Sequence, residues 1–254
     1  MGSLFKRLVM KLKAFYFTLL VMSVGCNLDS VSPGSTINSF SQGGSTASFT
    51  ISGDYLYTID ATTLSTFDIS DESEIRFLNK LRLNTIQLET IFPFGNKLYL
   101  GSTTGVLIID ISNPSSPIYI SEYQHVVSCD PVVTDGVYAY VTLRSGNNCG
   151  QVEDELQVID LSNINNPQVI STYPLTSPRG LALNGNTLYV CDDGIKVFDV
   201  SNKNNIELVN HVRSIPANDV IYYNSQLLVT ADDGFYQFNV IDDINIIQIG
   251  HHAY

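Results

Sequence analysis

The sequence predicts an all-β propeller of about five four-stranded blades, and three observations carry that expectation. A Gly, a polar residue and a Leu-Tyr-type apolar strand recur from Gly53, Gly95, Gly136 and Gly185 and, eroded, from Asn224. Each is followed by a second apolar strand that closes at Asp68, Asp110, Asp160, Asp199 or Asn239. Units spaced 42, 41, 49 and 39 residues apart form a repeat array, whose members cannot bury their apolar faces alone and must stack. The middle strands are almost continuously apolar, as in Val106-Leu107-Ile108-Ile109, so both faces of each sheet need cover. Sheets stacked face to face around an axis meet that need.

Three segments follow one another along the chain. Residues 1–25 read as a secretory signal: Lys6, Arg7, Lys11 and Lys13 precede an apolar run over 14–24 that is too short to span a bilayer and ends in small residues. Ser23-Val24-Gly25-Cys26 resembles the lipobox of bacterial lipoproteins, with Ser23 where an aliphatic residue is usual. That resemblance implies diacylglycerol on Cys26, hence a membrane partner held through the N-terminal lipid. Asn27 in place of an Asp after the Cys implies an outer-membrane destination. Residues 26–46, rich in Ser, Gly, Thr and Asn, read as a flexible tether of roughly 25 Å reach. Residues 47–254 form the propeller.

Within that domain the fourth unit reads as strands over 180–183, 187–191, 195–200 and 206–212, separated by Asn-Gly, Asp-Asp-Gly and Asn-Lys-Asn-Asn turns. The first unit opens on an innermost strand at 48–52 and the last ends on an outermost one at 245–250, so five whole blades are in phase, with 37–40 a candidate for an edge. A six-bladed ring missing one blade is disfavoured, because the gap would expose apolar faces and unpaired edges.

The strands over 106–111, 156–161 and 195–200, each followed by Ser-Asn and twice by Pro114 or Pro167, resemble LVIVD-repeat proteins. The resemblance implies a propeller-forming lipoprotein of Gram-negative bacteria with no established reaction, and it supplies no catalytic residues. The fifth unit departs from the pattern, with Asn239-Val240-Ile241 and no Ser-Asn-Pro.

The chain carries 13 basic and 25 acidic residues, a net charge of −12. Loss of the leader leaves nine basic residues and a net charge of −16, which repels phosphate backbones and excludes nucleic acid as a partner.

Alternating strand directions place the loop into each innermost strand on the same end as the turn between second and third strands. Six residues before each repeat glycine, or Asn224, stand Ala47, Glu89, Asp130, Arg179 and Asn218. These residues are expected to ring the channel mouth, where convergent polar groups can hold a ligand. The third unit takes 24 residues from Gly136 to Asp160 where the others take 14 or 15, so an insertion over 144–155 brings Arg144 over that mouth. Cys129 and Cys149 lie on the same end, and an oxidising compartment makes a disulfide between them the expected staple of the insertion, with Cys191 a competing partner or a buried thiol.

Asp192-Asp193-Gly194 and Asp232-Asp233-Gly234 read as tight-turn chemistry; neither has the spaced oxygens of a calcium loop. His125, His211, His251 and His252 lack zinc spacing, and phosphate loops and nucleophile elbows are absent, so no metal or cofactor is expected. The leading expectation is a non-enzymatic binding module for a protein, peptide or glycan. The alternative is a hydrolase of the propeller lactonase or phosphotriesterase kind, with Glu89, Asp130 and Asn218 holding a divalent metal.

Overall fold

The computed structural model describes residues 44–85, 87–124, 131–146 and 153–254. The leader, most of the tether, the middle of the insertion, Cys26, Cys129, Asp130 and Cys149 lie outside the described residues. The five repeats fold into five four-stranded antiparallel sheets within one compact unit, Ser39–Tyr254. Blade 1 comprises β1 (Phe49–Ser52), β2 (Tyr55–Asp60), β3 (Thr63–Asp71) and β4 (Glu74–Arg82), and blade 2 comprises β5 (Leu88–Phe94), β6 (Lys97–Ser102), β7 (Gly105–Asp110) and β8 (Ile118–Gln124). Blade 3 comprises β9 (Val132–Thr134), β10 (Tyr138–Leu143), β11 (Glu155–Asp160) and β12 (Gln168–Pro174). Blade 4 comprises β13 (Leu181–Asn184), β14 (Thr187–Cys191), β15 (Ile195–Asp199) and β16 (Glu207–Val212). Blade 5 comprises β17 (Ala217–Tyr223), β18 (Gln226–Ala231), β19 (Gly234–Val240) and β20 (Ile246–Ala253).

The recurring residues now have physical reasons. Gly53, Gly95 and Gly185 sit at φ of 58°, 58° and 57° in the turn out of the innermost strand, and Asn224 holds φ 48° in the eroded fifth unit; this left-handed conformation suits Gly and is tolerated by Asn. Tyr57, Tyr99, Tyr140 and Tyr189 of the Leu-Tyr pairs are fully buried between blades, and Tyr189 donates its hydroxyl to the Asp243 carbonyl of the next blade at 2.7 Å. The Asp that closes each third strand accepts the backbone N–H two residues on: Ser70 to Asp68, Ser112 to Asp110, Ser162 to Asp160 and Ser201 to Asp199, at 2.7 to 2.9 Å.

These turns make the protein acid-sensitive. The Ser70 hydroxyl and N–H, followed by Arg76, pull the Asp68 carboxyl down to about 2, and Ser112, Ser162 and Ser201 lower Asp110, Asp160 and Asp199 in the same way. A carboxyl that binds its proton less readily folded than unfolded contributes stability above the ordinary carboxylate range and loses it as pH falls, for Asp68 through about 2. The thermal midpoint should therefore drop between pH 5 and pH 2, and less steeply in Ser70→Ala.

Four apolar clusters fill the spaces between blades 1 and 2, 2 and 3, 3 and 4, and 4 and 5. Outer strands add a repeated polar staple: Asn79, Ser121, Ser171 and Asn210 each donate to a turn carbonyl of the following blade, respectively Ser115, Ile164, Lys203 and Ile244. No corresponding apolar cluster joins blade 5 to blade 1 among the described residues. The five-bladed architecture stands, yet the exposure of apolar faces that argued against a gap is present at this seam. Phe49, Ile51 and Phe77 on blade 1 and Phe235 on blade 5 are exposed.

Candidate functional site

The hub has two unlike ends. At the proximal end, where the innermost strands begin, Arg179 Nη1 lies 3.3 Å from Asp232 Oδ1, and Asn218 Nδ2 donates to the same oxygen at 2.8 Å. Two of the sequence-expected mouth residues thus converge on a third group, supplied by the β18–β19 turn, as the strand alternation requires. Asn218 Oδ1 is buried with no hydrogen-bond partner among the described residues. Thr142 Oγ1 on blade 3 donates to the Arg179 carbonyl at 2.8 Å, and the Ala47 carbonyl accepts from Ile91 N–H at 2.9 Å. Glu89 lies in β5 and is half-buried; Arg144 directly follows β10, where Ser145 N–H donates to Asp154 across the base of the insertion at 2.6 Å.

Sequence reasoning missed the residue that organises this end. Asp219 in β17 accepts from the Ser45 and Thr46 hydroxyls at 3.1 and 2.6 Å and from Val220 N–H at 3.0 Å, while Ser45 Oγ accepts from Leu181 N–H at 2.7 Å. Gly44–Thr46, the last residues of the expected tether, are therefore seated in the hub. The fit is close enough that a Cβ on Gly44 or Gly180 would stand 2.0 Å from an Asp219 carboxylate oxygen. Burial pushes the Asp219 carboxyl up, opposed by the hydrogen bonds from Thr46, Val220 and Ser45. A lone Asp inside a strand carries no repeat signal, and a Ser-Gly stretch reads as linker, so neither half of the contact was visible beforehand.

Both Asp pairs serve protein partners. Asp192 is fully buried, bound by Lys196 Nζ at 2.5 Å and by the backbone N–H groups of Thr176 and Ser177 at 3.1 and 2.7 Å. Asp193 and Gly194 take the positive φ of the turn, 49° and 106°. Asp233 accepts the Tyr236 hydroxyl at 2.8 Å. Cys191 is a buried free thiol, pushed up by burial. Among the described residues, no three His, Cys, Asp or Glu side chains lie close enough together to hold a metal ion.

At the distal end, where the innermost hairpins turn, a cavity of about 310 Å³ opens between the inner strands of blades 2 to 5. Phe92, Phe94, Leu183, Ile221 and Tyr222 are among the apolar residues that line it, together with Thr134 and Asp135. Asp135 is positioned by Val137 and Tyr138 N–H donors at 2.9 and 2.7 Å, with Lys203 Nζ 3.9 Å away. None of Glu89, Arg144, Arg179 and Asn218 lines it. The apolar alternation of the inner strands was the signal for this pocket, and a search for polar side chains passes over it.

The family model described as the LVIVD repeat matches residues 43–81, 94–125 and 177–213, the regions of blades 1, 2 and 4. A search of curated proteins finds no match. Among solved structures, the periplasmic gluconolactonase PpgL of Pseudomonas aeruginosa is similar at a TM-score of 0.62 and 13% identity, over 79% of this chain and 68% of that one. A protein from Lactobacillus plantarum gives 0.62 and 15%, over 80% and 69%, and AztD of Citrobacter koseri gives 0.59 and 14%, over 80% and 61%. This chain spans about three fifths to two thirds of the length of these structures, and identities this low establish a shared fold. With its repeat matches and its five stacked sheets, the chain is an LVIVD-repeat β-propeller.

Proposed function

We propose that this protein is a non-enzymatic binding module that takes an apolar side chain of a protein or peptide partner into the distal hub cavity. The observation that supports this reading is the cavity itself: about 310 Å³, with Phe92, Phe94, Leu183, Ile221 and Tyr222 among its apolar lining. That volume lies at the lower end of ordinary ligand pockets, and a largely apolar lining with a few polar groups is what an aromatic or aliphatic anchor residue requires. Asp135 and Thr134 in the lining give the anchor's backbone polar neighbours. A lipid on Cys26 would hold the module at the outer membrane, with the proximal polar set of Arg179, Asn218 and Asp232 on its other end.

Selection of peptides from a random displayed library tests the reading. Binders should carry a large apolar residue, and Ile221→Asp should weaken them at least about tenfold, because it places a charge in an apolar pocket. Glu89→Ala and Arg179→Ala should leave them unchanged. Peptides that lose binding in Arg179→Ala and keep it in Ile221→Asp would move recognition to the proximal end.

A further inference from the structure

The two faces at the seam differ in chemistry. On the outward face of blade 5, Gln237 in β19 hydrogen-bonds Gln226 in β18 at 2.8 Å, with Thr230, Asn239 and His252 on the same face. Leu228, Phe235 and Ile247 lie on that face too, but Gln226, Gln237 and Thr230 interrupt them, so no apolar row crosses all four strands. The outward face of blade 1 has no such interruption. The pairings Ile51 with Leu56, Leu56 with Phe67 and Phe67 with Phe77 run one apolar row across all four strands. Phe77 is 57% exposed, Ile51 45% and Phe49, one pair further along β1, 59%.

Charge is arranged around that row. Lys80 and Arg82 lie toward one end of β4, and Asp71, Glu72 and Glu74 form the hairpin tip at the other, with Phe77 three residues from both Glu74 and Lys80. All five charged residues are exposed. A face with an apolar centre, a basic end and an acidic end is complementary to its own image turned by 180°. We infer that the outward face of blade 1 docks a second copy of this chain about a two-fold axis near Phe77, with Lys80 and Arg82 of each copy meeting the Asp71–Glu74 tip of the other.

Four strands about 4.8 Å apart and roughly six residues long at about 3.3 Å each make a face of about 400 Å² in projection. Side-chain relief raises its accessible area toward the roughly 600 to 800 Å² per partner of a stable interface. Face-to-face packing of two such sheets is the ordinary geometry of β-sandwiches. Blade 5 offers no equivalent apolar row, so the contact pairs like with like instead of extending head to tail.

The test uses the full-length chain. Phe77→Cys under mild oxidation should give a covalent dimer on a non-reducing gel, and Ile118→Cys, equally exposed on β8 of blade 2, should not. Within the Phe77→Cys chain, Lys80→Glu or Glu74→Lys should each weaken the dimer band at least about threefold, and mixing the two should restore it, because opposite charges then meet across the axis. The inference is overturned if Phe77→Cys gives no band above the wild-type chain, if Ile118→Cys gives an equal one, or if charge reversal leaves the band unchanged. It is equally overturned if the chain stays monomeric while the introduced thiol resists alkylation, since another cover then occupies the face.

Discussion

Lys196→Met should destabilise the propeller by about 3 to 5 kcal/mol, read as a fall in the urea midpoint at unchanged slope. Asp192 is 1% exposed and receives three protein donors, of which Lys196 alone brings positive charge. Removing the ammonium leaves a buried carboxylate held by the Thr176 and Ser177 N–H groups only, and an unpaired buried charge costs several times what the pair contributes. Asp192→Asn added to Lys196→Met should recover most of the loss, because the amide oxygen still accepts both N–H groups without the charge. A single-variant effect below about 1 kcal/mol would mean that the two backbone donors suffice. The loop thus held leads directly to Arg179, so the pair also sets where one member of the proximal polar set stands.

Phe198→Ala should cost about 3 to 5 kcal/mol, and Phe67→Ala, at the equivalent repeat position, only about 1. Both phenylalanines precede the Asp that closes their third strand, and both face the preceding side of their blade. Phe198 is fully buried in the cluster between blades 3 and 4, edge-on to Tyr173 with ring centroids 4.9 Å apart. Phe67 is half-buried on the seam face, where its nearest aromatic neighbour is the exposed Phe77 at 5.7 Å. Truncation therefore opens a cavity in one case and trims a surface in the other. Equal losses in urea unfolding would show that blade 1 is covered as tightly as blade 4, and would remove the basis for a contact there.

Much of the fold was legible because its causes are local and repeated. A glycine or asparagine in the left-handed conformation, a buried Leu-Tyr pair and an Asp-x-Ser turn leave the same mark in successive units, and the blade boundaries follow to within a few residues. The strand alternation also located the proximal end, which is why Arg179 and Asn218 meet at Asp232. What escaped was unrepeated. Asp219 and Ser45 are 174 residues apart and each looks ordinary in its own segment. The seam was recorded more plainly, in the switch from continuous apolarity to alternation in Phe235-Tyr236-Gln237-Phe238-Asn239, where every second residue faces outward. Counting blades conceals that switch, because a half-covered blade has the same length as a covered one.

The seating of Ser45 between Asp219 and Leu181 decides how the molecule would bear mechanical load. Tension arriving at Gly44 meets hydrogen bonds to blades 4 and 5 before it reaches the first strand of blade 1. Pulling from that side would therefore strain the far terminus of the array first, and β1 would be shielded from peeling until the carboxylate grip gave way.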